Sequence, residues 1–72
     1  MVSRNIIDYM VVCVNDYAAG HSLSKTEAFD YLRKNKGLDF LEDCYEAEHT
    51  LSLEEALSDL EAICKRNEAV PA

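Results

Sequence analysis

Two stretches of the chain follow one pattern: LSKTEAFDYL from Leu23 and LSLEEALSDL from Leu51 share L-S-x-x-E-A-x-x-x-L. A serine with a glutamate three residues on forms a capping box. The hydroxyl accepts from the third residue's N–H and the carboxylate reaches back to the serine's own N–H, filling donors that a helix start leaves open. Ser24 with Glu27 and Ser52 with Glu55 therefore predict helix starts at Lys25 and Leu53, with Leu23–Ala28 and Leu51–Ala56 at staple positions beside them. The echo is read as two helix N-termini rather than as a duplicated unit.

The remaining elements follow from spacing. Ile6, Met10, Cys13, Val14 and Tyr17 recur at helical intervals and predict a first helix over Arg4 to Ala19, with Ser3 as its N-cap and Gly20 as its stop. Ile7, Val11 and Ala18 add a second apolar stripe, more than one core-facing arc needs. The second helix is expected from Lys25 to Lys36, burying Ala28, Phe29 and Leu32, with Gly37 in the left-handed position after it. A third is expected from an Asp39 N-cap to Glu48, burying Phe40, Leu41, Cys44 and Tyr45. A fourth runs from Leu53 to Arg66, burying Leu53, Ala56, Leu57, Leu60, Ile63 and Cys64, with Lys65 and Arg66 suiting its dipole.

No window alternates as a strand does. The expected fold is all-α, a compact bundle of four short helices forming one domain over residues 1–66, with 67–72 a frayed tail. At 72 residues the chain buries only about 60% of the surface exposed by its unfolded form, so a partner or a second copy would steady it. The apolar run Tyr9–Val14 is too short for an export signal or a membrane span and is followed by Asn15 and Asp16. Three widely spaced cysteines, an odd number, fit reduced thiols and a cytoplasmic location.

The one stretch that looks like chemistry is CYEAEHT, Cys44 to Thr50, which brings a thiol near an imidazole. A nucleophilic cysteine needs a helix N-terminus or nearby cations to hold its thiolate. Cys44 instead falls late in a helix among Glu42, Asp43, Glu46 and Glu48, and His49 is placed to cap the last carbonyls of that helix. No short ligand pair unites Cys13, Cys44, Cys64, His21 and His49, and no phosphate loop is present. No catalytic residue, metal or cofactor is therefore expected, and the protein is read as a non-enzyme. A helix-turn-helix over helices two and three is disfavoured, because Asp39, Glu42, Asp43, Glu46 and Glu48 would repel a phosphate backbone. Neither nucleic acid nor membrane is an expected partner.

Charge is uneven along the chain. The net charge is −7, and between Gly37 and Cys64 stand nine acidic residues and no basic one. Such a run is a solvated face, or a surface that selects a basic partner. With the doubled apolar stripe of helix one, this puts Ile7, Val11, Glu42, Glu46 and His49 forward as partner-binding residues, the other chain being a different protein or a second copy in a homodimer.

The order YMVVCVNDYA, LSKTEAFDYL, CYEAEHT and an acidic last helix resembles a small bacterial family, domain-of-unknown-function family 3791, over residues 5–66. Members carry a CYD..HT stretch where this chain has Cys44, Tyr45, Glu46, His49 and Thr50, followed by an aliphatic and acidic stretch closer to YIVDDI where this chain has LEEALSDL. Family genes are often neighbours of ADP-ribosyltransferase-like toxins. The resemblance therefore implies a protein-binding antitoxin or accessory role in a toxin-antitoxin-like system, with such a toxin as partner, and implies no catalytic residue.

Overall fold

A computed structural model describes residues 4–69. The order of elements is α1 (Arg4–Gly20), α2 (Lys25–Lys34), α3 (Gly37–Asp43), α4 (Tyr45–Glu48) and α5 (Leu53–Ala69), with no strand among the described residues. The all-α expectation holds, and the expected third helix is two. Cys44 takes φ −107° and ψ 16°, outside the helical range, while its N–H donates to the Phe40 carbonyl at 2.9 Å. That residue closes α3 and starts the single turn of α4. The N-cap expected at Ser3 lies outside the described residues. α5 continues to Ala69, past the end expected at Arg66, and what remains of the tail, 70–72, is likewise outside them.

Both serines act where the sequence placed them. Ser24 Oγ accepts from the Glu27 N–H at 3.1 Å, and Glu27 Oε1 accepts from the Ser24 N–H at 3.0 Å, which completes the box before α2. Ser52 Oγ accepts from the Glu55 N–H at 3.2 Å at the start of α5.

α1 is the central element and packs on α2, α3 and α5, while α3 also lies against α2 and α5 and α4 rests on α3. The core joins Cys13, Val14, Tyr17 and Ala18 of α1 to Ala28 and Leu32 of α2, Leu38 and Leu41 of α3, and Leu60 and Cys64 of α5. Of the residues expected at the core of the third helix only Leu41 is fully enclosed; Phe40, Cys44 and Tyr45 are half-buried, because the break at Cys44 turns the chain away from the core. Leu53, Leu57 and Ile63, expected to be buried on the last helix, are half-buried too, as are Ile6 and Met10 on α1.

The joint between α2 and α3 corrects another expectation. The left-handed residue is Lys36, at φ 69°, and Gly37 has no positive φ. α3 starts at Gly37, so Asp39 lies inside its first turn instead of capping it. Gly37 is buried for a different reason: a Cβ there would stand 2.9 Å from Cys64 Sγ, 3.0 Å from Leu60 Cδ1 and 3.1 Å from Leu32 Cδ2. The missing side chain lets α2, α3 and α5 meet at one point.

A candidate interaction surface

Of the second apolar stripe of α1, Ala18 is buried in the core, while Ile7 and Val11 remain open to solvent. Ile7, Val11 and Val12 are each about half exposed, and across from them on α2 Phe29, expected in the core, is 46% exposed. Ala28 and Leu32 define the core-facing arc of α2; Phe29 stands about 60° round the helix from Leu32 and about 100° from Ala28, on the shoulder of that arc. Between the two helices runs an open trough of about 420 Å³. Its apolar wall is Ile7, Met10, Val11 and Val14 of α1, Phe29 of α2 and Leu38 of α3, while Asn15, Lys25 and Thr26 supply its polar atoms. A contiguous apolar trough left uncovered on so small a chain marks a site of association more often than a chance exposure.

The five residues put forward from sequence divide into two groups. Ile7 and Val11 line the trough together. Glu42, Glu46 and His49 are exposed on or just after α3 and α4 and do not line it; Glu42 comes nearest, one helical turn on from Leu38. Sequence reasoning missed Phe29. The signal was present: with Ala28 and Leu32 fixing the inner arc, an aromatic on their shoulder extends the apolar surface beyond what α1 alone can cover.

CYEAEHT is the end of a helix. Both the N–H of His49, at 2.9 Å, and its Nδ1–H, at 2.7 Å, donate to the Tyr45 carbonyl, and Thr50 Oγ1 donates to the Ala47 carbonyl at 2.7 Å. The imidazole lies flat on the Tyr45 ring with centroids 4.5 Å apart, and Tyr45 in turn meets the edge of Tyr9 at 5.4 Å. His49 is thus engaged as a cap and a stacking partner. Cys13 and Cys64 are fully enclosed, and burial pushes both thiols up, Cys64 to about 11, so neither supplies a thiolate at neutral pH.

Beneath this corner lies a polar cluster absent from the sequence reading. Glu48, which belongs to the acidic run expected to be solvated, is only 7% exposed, and its Oε1 has no hydrogen-bond partner; neither has the buried hydroxyl of Tyr9. Burial first, and then hydrogen bonding and charge from Asp59 of α5, hold the Glu48 carboxyl above its ordinary range. Burial also raises the Tyr9 phenol, with Cys13 and Glu48 adding to it. No group of three or more His, Cys, Asp or Glu side chains able to hold a metal occurs among the described residues. Nor is any described helix long and apolar enough to cross a membrane.

The sequence model of the family described as "Protein of unknown function (DUF3791)" matches residues 8–67. The chain belongs to domain-of-unknown-function family 3791. The match takes in α2, α3 and α4 whole, most of α1 and most of α5. In this member of family 3791 the Cys-Tyr and His-Thr pairs close α3 and finish α4, and the Tyr45 ring meets Tyr9 of α1. No curated protein and no solved structure matches the chain.

Proposed function

We propose that this member of family 3791 is a non-enzymatic protein-binding module that docks through the open face of α1 and α2. The observation that carries the reading is the trough itself: Ile7, Val11 and Phe29 are exposed around one contiguous apolar surface, whereas Cys13 and Cys64 are enclosed and His49 is engaged in capping and stacking. Helix-lined apolar grooves are a recurrent mode of protein recognition. An antitoxin or accessory role in a bacterial toxin-antitoxin-like system is the physiological setting we propose, with an ADP-ribosyltransferase-like protein as the first partner to test.

The test is capture from host extract with the tagged wild type beside Val11→Glu and Phe29→Glu. A protein retained by the wild type and lost by both variants, with helicity intact by circular dichroism, is the expected result. Capture profiles that do not distinguish the three forms would sink the reading.

A further inference from the structure

The two halves of the chain carry very different charge. Residues 1–36 hold four acidic side chains, Asp8, Asp16, Glu27 and Asp30, against five basic ones, Arg4, Lys25, Arg33, Lys34 and Lys36. Residues 37–72 hold ten acidic and two basic. The first half is therefore near neutral at +1, and the net −7 of the chain comes from the second half at −8. All of the trough's lining except Leu38 comes from the near-neutral half.

We infer that the occupant of the trough is a second copy of this chain, in a two-fold pair that sets α1 and α2 of each copy against those of the other. The inference rests on the reading of the trough as a docking surface. Charge tells against a strongly basic occupant. A basic partner selected by long-range attraction is drawn to α3–α5, where the acidic residues are, and gains little at a near-neutral apolar face. A second copy meets no such mismatch. Tyr17, which shares the core with Leu60 and Cys64 of α5, stands about 120° round α1 from Val11, so pairing the trough faces leaves the acidic helix α5 to one side of the contact. Of the acidic half only α3 reaches the contact, through Leu38, with Glu42 one turn on at its edge. Closure at two follows from the symmetry of a like-to-like contact.

The dimensions agree. α1 is 17 residues long, about 25 Å, and the face it makes with α2 is two helices, roughly 20 Å, across. A standard interface removes about 800 Å² from each partner, about a sixth of this chain's 4986 Å². The chain has use for that cover: among the described residues the largest fully enclosed side chains are Leu32, Leu41, Leu60, Cys13 and Cys64, and a domain of this length is marginal on its own core.

Analytical ultracentrifugation of the purified chain at micromolar concentrations, at low and high sodium chloride, tests the inference. The wild type should sediment as a dimer that salt leaves unchanged or tightens, because screening relieves the repulsion between two copies of charge −7. Val11→Glu and Phe29→Glu should each weaken the dimer at least about thirtyfold with the far-ultraviolet spectrum unchanged. A wild type that is monomeric throughout, a dimer that salt dissolves, or one that both variants leave intact overturns the inference. If the wild type is monomeric while both variants lose a captured partner, the docking-surface reading stands and self-association falls. Should Val11→Glu unfold the chain, Phe29→Glu carries the test; should both unfold it, these residues belong to the core and both readings fall.

Discussion

Replacing Gly37 by alanine tests the packing more sharply than any other single substitution. The added Cβ would stand 2.9 Å from Cys64 Sγ, 3.0 Å from Leu60 Cδ1 and 3.1 Å from Leu32 Cδ2, all closer than ordinary van der Waals contact. The three neighbours are each at 0% exposure, so none can swing into solvent to make room. Overpacking of this kind costs about 1–3 kcal/mol, and alanine recovers at most about 1 kcal/mol of helix propensity. The net lies between about 0 and 3 kcal/mol; because all three neighbours are enclosed the upper part is expected, a loss of at least about 1 kcal/mol, or roughly 5 °C or more in Tm for a domain of this size. Urea and thermal melts followed by circular dichroism measure it. Cys64→Ala removes the nearest of the three atoms, so in that background Gly37→Ala should cost less, by a coupling of about 0.5 kcal/mol or more. A Gly37→Ala variant that melts at or above the wild type would show that α2, α3 and α5 do not converge on this residue.

Glu48→Gln should stabilise the protein by about 1–2 kcal/mol at pH 7. Folding holds the Glu48 carboxyl above its ordinary value of 4.5, so the ionised form is the one the fold disfavours. The wild type accordingly loses stability as pH rises from about 4.5 through the raised folded value. Glutamine does not titrate and can still donate to Asp59, so the gap between variant and wild type in urea melts should close below about pH 4.5; a gap unchanged between pH 4 and pH 7 refutes the account. Ser24→Ala and Ser52→Ala should each lower stability by about 1 kcal/mol, and unmoved denaturant midpoints would mean that α2 and α5 do not depend on these caps. In native-state maleimide labelling read by mass spectrometry, half-buried Cys44 should react before Cys13 and Cys64, whose thiols are enclosed and pushed up; Cys64 reacting as fast as Cys44 would contradict the packing of α5.

What could be read from sequence was what neighbouring residues decide. The starts of α2 and α5 are fixed by Ser24–Glu27 and Ser52–Glu55, groups three positions apart, and those boundaries came out as expected. The features decided across helices did not. Phe29 continues an apolar pattern, but whether it is covered depends on how far α3 reaches over α2. Gly37 has the composition of a left-handed turn, yet the turn falls on Lys36 and the glycine serves a three-helix approach. Glu48 stands in an acidic run with every local sign of solvation, and only the docking of α4 near Tyr9 and Asp59 encloses it. At the trough, the doubled stripe of α1 foretold Ile7 and Val11, while the separation of that face from Glu42, Glu46 and His49 required the tertiary arrangement.

The layout around Gly37 also sets an order of assembly. α1 and α2 are joined by a short turn in which the Leu23 N–H returns to the Ala18 carbonyl at 2.9 Å, so their pairing closes a small loop. α5 must return from much farther along the chain: Tyr31 Oη donates to Glu68 Oε2 at 2.5 Å across 37 residues. Loop closure over that span is the slower entropic step, and the seam that α5 enters exists only once Leu32 and Gly37 are in place. The helical hairpin α1–α2 is thus expected to form the nucleus and α5 to arrive late. Substitutions at Leu60 then act chiefly on the rate of unfolding, whereas those at Ala28 slow folding. On this order the lifetime of the native state is expected to reside in the last helix, apart from the open trough of α1 and α2.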